Sequence, residues 1–372
     1  MIYLVCFGLS VWMAHLANKA ETKKKIWLFS LLSIGVMVVL SGLRGYTVGT
    51  DVMNYFTKDL YWTGATGASS LLDYFRLYFP QGYGDPLFAT LVGVIAQYTG
   101  SFPVFLFVVH TIVLSCMYVG IFRHRKIIDP AFVLLIFYLF FYNHSLNIMR
   151  QYIAMSILFA FFADITQGKW WRYLLGVGLA ALFHSTAVLG VVPLVLYYVL
   201  QFKKDTLRVT PFQRQRVVAG VISLGITLFS PLLRLAMNLG LLNSRFLFFL
   251  EDESKTPALI MAAMVVMGLV AAAIFIKPIR QKCEHADFYI FNSLIYLVML
   301  QLTVSVAYGK RIGMYFAMAD LITLGLIESA PKDEKWQKII RYGMVLVALV
   351  YWTYAYVLRN ASDTFPYVTW FL

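Results

Sequence analysis

Charged side chains are scarce in this sequence, and acidic ones are the scarcest. Only 13% of the 372 residues are charged, with 18 Asp and Glu against 31 Lys and Arg. A soluble domain of this length rarely has so few charges. The basic excess is divided among short segments between apolar runs, whereas a nucleic-acid-binding arm would concentrate it in one tract. We therefore expect no nucleic-acid partner.

Cysteines and metal-binding patterns are also sparse. The three cysteines, Cys6, Cys116 and Cys283, are far apart and have neither disulfide nor metal-ligand spacing. The sequence also lacks an Asp-x-Asp pair and a histidine cluster. It therefore predicts free thiols, no metal ion and no cofactor.

Long apolar runs dominate the sequence instead. Hydrophobic residues make up 60% of the chain, aromatic residues 17%, and the mean hydropathy is +0.74. These runs predict an all-α, polytopic membrane protein with about 12 transmembrane helices. The segment Leu71–Phe79 resembles an additional helix lying on the outer bilayer surface. Without a linker or internal repeat, residues 1–372 are expected to form a single transmembrane domain.

The basic residues also predict the orientation of the chain. Roughly two thirds of the Lys and Arg side chains fall in alternate loops, which the positive-inside rule assigns to the cytoplasmic face. Both termini and the loop 44–85 are then outside. This loop is the longest in the chain, and long loops in compact proteins are often functional.

The start of this outer loop combines a cation with hydrogen-bonding groups. Arg44 ends an apolar run, and Asp51 and Tyr55 follow within a few residues. An arginine beside a carboxylate at a membrane surface suits a substrate with both a phosphate and a hydroxyl. An ordinary polar loop with an anchoring arginine is the alternative.

Two helical hairpins predict a recessed pocket that opens outward. The segments Ala131–Asp164 and Tyr173–Leu200 are each too short for two full crossings of about 20 residues. Their outer tips contain Arg150 and His184, and polar groups at that depth require the protein interior or a water-filled cavity. Helical spacing predicts that Asn147, Arg150 and Gln151 share one face with Ala154, whose small side chain leaves room for close approach beneath the three polar groups.

Several cations near the outer helix ends predict an anionic ligand. They are Arg44, Arg150, Arg245, Lys310 and Arg311, with Tyr315 one turn below Arg311. Each arginine alone could be a snorkelling anchor, but together they suit the diphosphate of an anionic lipid. A general base could be His184, whose imidazole titrates near neutral pH, or Asp51.

Five short motifs follow one another along the chain. They are Arg44–Tyr55, G-D-P-L-F at Gly84–Phe88, N-I-M-R-Q-Y-I-A at Asn147–Ala154, F-H-S-T-A at Phe183–Ala187 and K-R-I-G-M-Y-F at Lys310–Phe316. In this order they resemble the bacterial exopolysaccharide and O-antigen polymerases of the EpsG/Wzy type. Asp85 before Pro-Leu-Phe fits the acidic residue common in such proteins.

The resemblance implies a fold similar to the C-type glycosyltransferases and a metal-independent polymerase in the bacterial inner membrane. Such enzymes transfer a glycan from undecaprenyl diphosphate to a lipid-linked acceptor at the outer face. The implied partners are undecaprenyl diphosphate-linked oligosaccharides and membrane lipids, together with a chain-length regulator and a flippase of the same pathway. Asp85, Tyr55, Asn147, Gln151 and Tyr315 would then bind substrate beside the cations. An O-antigen ligase and a flippase or transporter of lipid-linked oligosaccharide remain as alternatives.

Overall fold

The fold is described from a computed structural model over residues 1–57, 61–79, 85–201, 211–239, 259–301 and 309–371. Every regular element in these ranges is a helix, which confirms the all-α prediction. The described residues up to 201 contain thirteen α-helices, together with a π-helix at Tyr138–Tyr142 and a 3-10 helix at Ser185–Gly190. The α-helices are α1 Ile2–Lys19, α2 Lys23–Gly42, α3 Thr50–Thr57, α4 Trp62–Gly67, α5 Leu71–Tyr78, α6 Pro86–Thr99, α7 Phe102–Arg123, α8 Pro130–Phe137, α9 Asn143–Ser145, α10 Met149–Phe161, α11 Ala163–Thr166, α12 Trp170–Phe183 and α13 Val191–Gln201.

The remaining described segments continue the helical pattern. A π-helix at Thr353–Leu358 and a 3-10 helix at Ala361–Asp363 follow the last α-helix. The α-helices are α14 Pro211–Asn238, α15 Leu259–Ile274, α16 Ile276–Lys282, α17 Ala286–Met299, α18 Gly309–Glu328 and α19 Glu334–Trp352.

Three helices in the described ranges are long and apolar enough to cross a membrane. They are Lys23–Gly42, Phe102–Arg123 and Glu334–Leu358, and the bent pair α15 and α16 would make a fourth. The predicted count of about 12 spans is therefore not confirmed. Several other apolar helices are shorter, because α6, α12 and α17 have only 14 residues each. These lengths support a membrane protein without fixing its number of crossings.

The two predicted hairpin tips coincide with breaks in the helices. Leu146 and Asn147 lie between α9 and α10, where Ile148 leaves helical geometry. His184 is extended and ends α12 before the 3-10 turn. Each of the two polar tips identified in the sequence therefore contains irregular backbone between helices.

The chain divides into two compact units. The first comprises Met1–Val188 and Lys332–Leu372, and the second comprises Leu189–Pro331. This division does not test whether the chain is one domain, which stays a prediction.

Small residues allow close helix packing within the first unit. A Cβ atom at Gly42 would lie 2.4 Å from the Phe107 ring of α7, and one at Gly120 would lie 2.4 Å from the Phe159 ring of α10. Arg123, at the end of α7, donates from its two Nη atoms to the Asp164 carboxylate over 2.6 and 2.8 Å. These contacts fix α7 against α2 and α10, which both lead into the candidate site.

Three distant segments meet at one end of the first unit. The Tyr3 hydroxyl at the start of α1 donates to the Thr364 carbonyl over 2.6 Å. The Gly45 amide, just after α2, donates to the Val368 carbonyl over 2.7 Å. The beginning of the chain, the start of segment 44–85 and residues 364–368 therefore lie together at one end of this unit.

In the second unit, α17 and α18 pack side by side through a polar contact. Ser293 and Thr323 share a hydrogen bond of 2.8 Å, and both side chains are buried. Hydroxyl pairs of this kind join helices where apolar surfaces alone give little directionality.

Candidate functional site

A carboxylate, a guanidinium and an imidazole meet in the first unit. Asp85 immediately precedes α6, Arg150 lies in the first turn of α10, and His184 ends α12. Arg150 Nη1 donates to Asp85 Oδ2 over 2.8 Å, and His184 Nδ1 lies 3.5 Å from the same oxygen. We call these three residues the Asp85 cluster.

The backbone around Asp85 directs its carboxylate toward this cluster. Asp85 directly precedes α6, but its side chain makes no capping bond to the first turn of that helix. Its Oδ1 accepts the Ser185 backbone N–H over 3.0 Å instead. Asp85 therefore connects the start of α6 to the turn that follows α12.

The surroundings favour the ionised form of Asp85. Burial opposes ionisation, but the hydrogen bond with His184 and the charge of Arg150 outweigh it, so the pKa of the carboxyl lies below its usual value. The Asp85 side chain is 6% exposed, whereas Arg150 and His184 are 22% and 23% exposed. A buried anion is thus covered by two side chains that reach solvent.

Aromatic rings surround the Arg150 guanidinium. Its Cζ lies 5.8, 5.4 and 5.7 Å from the ring centroids of Tyr55, Tyr61 and Phe88. Its Nε donates to the Tyr55 hydroxyl over 3.3 Å. Ring faces attract a cation electrostatically, so these side chains fix the position of the guanidinium. Sequence reasoning identified Tyr55 but not the roles of Tyr61 and Phe88. Phe88 lies in the quoted G-D-P-L-F motif, whereas no local pattern distinguishes Tyr61.

Asn147 holds the beginning of α3 and does not share the predicted face of α10. Its Oδ1 accepts the Asp51 backbone N–H, and its Nδ2 donates to the Thr50 hydroxyl over 2.6 Å. Because Ile148 breaks the helix, α10 begins only at Met149. The prediction of a common helical face for Asn147, Arg150 and Gln151 was therefore wrong for Asn147. Gln151 lies within α10 and is buried.

Gly49 allows the close approach between α3 and the segment before α10. Its backbone has a φ of +110°, which residues other than glycine rarely adopt. A Cβ here would lie 2.9 Å from Val52 Cγ2 and 3.3 Å from the Leu146 carbonyl oxygen. The turn before Asp51 therefore depends on glycine.

Asp51 and His184 remain the two candidates for a general base. Asp51 lies half-buried in the first turn of α3. His184 differs from it by having a carboxylate beside its Nδ1 atom. A carboxylate in that position fixes the orientation of an imidazole, which favours His184.

Arg44 lies in the protein interior. Its side chain is fully buried; Nη1 bonds His110 Nε2 over 2.6 Å, and Nη2 donates to the Leu146 carbonyl over 2.9 Å. Met149 Sδ lies 3.4 Å from the same Nη2. The sequence predicted a substrate-binding residue, but a side chain without exposed surface has no access to a substrate in this structure. These contacts give Arg44 a structural role ahead of α10.

The other predicted cations belong to the second unit or lie outside the described residues. Lys310 and Arg311 are in the first turn of α18, and Tyr315 is buried in the same helix. Arg245 lies outside the described residues. The convergence of these residues on the Asp85 cluster stays a prediction.

Within the described part of the chain, no group of three or more His, Cys, Asp or Glu side chains is arranged to hold a metal ion. This finding does not test metal independence, which stays a prediction.

Comparison with known proteins identifies a family. The model of the EpsG family matches residues 27–369, which include every residue of the Asp85 cluster. No curated protein and no solved structure matches the chain. The match confirms the family predicted from the five motifs and supports a general role in polysaccharide polymerisation. The chain therefore belongs to the EpsG family.

Proposed function

We propose that this protein polymerises lipid-linked oligosaccharide repeat units by glycosyl transfer at the outer face of the bacterial inner membrane. The donor is a glycan on undecaprenyl diphosphate, and the acceptor is a sugar hydroxyl of a second lipid-linked unit. The observation that carries this proposal is the Asp85 cluster, in which a partly exposed histidine lies beside a buried carboxylate.

The cluster is suited to removing a proton from the acceptor hydroxyl. With Nδ1–H directed to Asp85, the second nitrogen of His184 accepts the hydroxyl proton. The hydroxyl oxygen forms a bond to the anomeric carbon of the donor while the bond from that carbon to the diphosphate oxygen breaks. The leaving undecaprenyl diphosphate retains the electron pair, and His184 later releases the proton to solvent. A positioned base contributes about 10²- to 10⁴-fold to such a step.

Arg150 is assigned to the acceptor side of this reaction. Its Nη1 and Nε already donate to Asp85 and Tyr55. A bidentate hydrogen bond from Arg150 to a phosphate would therefore compete with the hydrogen bonds to Asp85 and Tyr55. The negative charge of Asp85 would also repel a nearby diphosphate. The paired charges of Asp85 and Arg150 suit uncharged sugar hydroxyls better. The sequence-based assignment of the diphosphate to the other outer cations, Arg245, Lys310 and Arg311, is kept as part of this proposal.

Reconstituted polymerisation tests the proposal together with its metal independence. Purified protein in vesicles, given lipid-linked repeat units, is expected to form a ladder of products, and EDTA is expected to leave the rate unchanged. The reason is that side-chain cations neutralise the leaving diphosphate. Products are separated on a gel.

Two outcomes would count against this assignment. Transfer of one block to an acceptor other than the repeat unit, without a ladder, would indicate a ligase. A loss of activity with EDTA that magnesium or manganese restores would contradict metal independence.

The proposed orientation predicts the location of two reporter fusions. A reporter after Lys25 is expected inside and one after Leu372 outside, because basic residues follow α1 and the positive-inside rule retains them in the cytoplasm. Alkaline phosphatase and green fluorescent protein activities measure the two locations. The reverse pattern would place the Asp85 cluster on the cytoplasmic side and contradict the proposed reaction face.

A further inference from the structure

A segment near the end of the chain lies along the backbone that leads into α3. We call residues 360–370 the C-terminal strap. The Gly45 and Gly49 amides donate to the carbonyls of Val368 and Asp363 over 2.7 and 2.8 Å. The Trp370 amide donates to the Leu43 carbonyl over 3.2 Å, and Arg44 pairs with Thr369 in an antiparallel bridge. The strap thus binds the main chain on both sides of Arg44.

Side chains anchor the strap to other elements of the same unit. The Tyr3 hydroxyl donates to the Thr364 carbonyl over 2.6 Å, and Asn143 Nδ2 donates to the Thr364 hydroxyl over 3.0 Å. The Tyr367 hydroxyl donates to the Leu40 carbonyl over 2.8 Å. These bonds connect the strap to α1, α2 and α9.

The strap itself is shaped by local hydrogen bonds. Asn360 Oδ1 accepts the Phe365 amide over 3.1 Å, and Asn360 Nδ2 donates to Asp363 over 3.3 Å. Asn360 adopts a positive φ of 44°, a conformation that asparagine tolerates better than most residues. The carbonyl of Asp363 is thereby presented to Gly49 by an ordered turn.

A short path leads from the strap to the Asp85 cluster. Gly49, held by the strap, directly precedes α3. This helix presents Tyr55 to Arg150 and is fixed at its beginning by Asn147, three residues before Arg150. A displacement of Gly49 would therefore move both the ring and the turn that hold the guanidinium.

We propose that the C-terminal strap is a positioning element of the site. It fixes residues 43–49 and, through α3, the placement of Tyr55 and Arg150. Its effect on catalysis rests on the function proposed above, whereas its effect on the order of α3 does not. Misplacement of a catalytic group by about 1 Å can lower a rate by about 100-fold.

The test removes three anchoring hydrogen bonds with little change in side-chain shape. The full-length variant combines Tyr3→Phe, Thr364→Val and Tyr367→Phe. Hydrogen exchange of amides 45–57 is expected to accelerate by about tenfold or more, while amides of α7 keep their protection. The elongation rate at saturating acceptor should fall about tenfold with the acceptor KM within about twofold of the unchanged protein. Phe371→Ala is the matched control, because this side chain is 57% exposed and lies beyond the strap.

A second variant separates positioning from a general loss of folding. A chain ending at Asn360 is expected to lose protection at residues 45–57, and an added peptide of residues 361–372 should restore both protection and rate. Unchanged exchange in the triple variant, or faster exchange with an unchanged rate, would overturn the proposal. If the truncated protein is monodisperse but the added peptide restores neither the protection of residues 45–57 nor the rate, the proposal would also be contradicted. If the unchanged protein showed no transfer while the exchange results held, the reaction would be wrong and the ordering of α3 by the strap would stand.

Discussion

Replacing His184 by glutamine is expected to lower the elongation rate by about 10²- to 10⁴-fold, because the acceptor hydroxyl loses its general base. Glutamine retains hydrogen-bonding capacity but cannot accept the proton. The effect should fall on the rate at saturating acceptor, measured by the growth of the product ladder in vesicles. Protein amount and melting temperature in detergent should remain near those of the unchanged protein.

The same experiment distinguishes His184 from its partner Asp85. Asp85→Asn should also lower the rate, because the neutral amide orients the imidazole less firmly and no longer balances the charge of Arg150. Since Asp85 acts through His184, the double variant should be little slower than His184→Gln alone. His15→Gln, in α1, is the control for a histidine outside the cluster. A normal rate for His184→Gln at normal protein levels would exclude it as the base and leave Asp51.

Replacing Arg44 by methionine is expected to destabilise the protein. The His110 nitrogen and the Leu146 carbonyl would lose their donor inside the protein. An unsatisfied buried acceptor costs about 1–3 kcal/mol of stability. We expect a lower melting temperature in detergent and less protein in the membrane, with lost activity following from lost folding.

Arg44→Lys and an exposed arginine supply the comparisons for this variant. Lysine has a single ammonium group in place of the planar guanidinium, which donates from two nitrogens. Arg44→Lys should therefore be more stable than Arg44→Met but less stable than the unchanged protein. Arg76→Met should leave the melting temperature unchanged, because Arg76 is 71% exposed in a surface pair with Asp73. An Arg44→Met protein with normal melting but impaired substrate binding would support the sequence-based role and contradict the structural one.

The sequence predicted the residues of the candidate site better than their partners. Asp85, Arg150 and His184 stand out locally, because each is a polar residue beside a long apolar run. The pairing of Asp85 with Arg150 joins the start of α6 to the start of α10, 65 residues later, and no local spacing encodes this tertiary contact. The sequence therefore suggested a phosphate as the partner of Arg150, where the structure has a carboxylate.

Arg44 shows why an outer arginine cannot be assigned to a substrate from its position alone. Its partner His110 lies in the middle of the apolar helix α7, 66 residues later in the chain. A histidine surrounded by apolar residues gives no indication of what it binds. The predicted count of about 12 membrane crossings is not confirmed, for a related reason. Hydropathy locates apolar helices such as α6 and α12, but a helix of 14 residues is shorter than a full crossing of about 20 residues.

The C-terminal strap also determines when during synthesis the site can be completed. Tyr3 and Thr364 are 361 positions apart, so their hydrogen bond can form only after residue 364 has left the ribosome. Until then, Gly45 and Gly49 lack the carbonyls of Val368 and Asp363. A nascent chain that already contains α1 to α12 would thus carry Asp85, Arg150 and His184 without their final alignment. Acquisition of activity is therefore expected to coincide with the insertion of α19 and the docking of the residues that follow it.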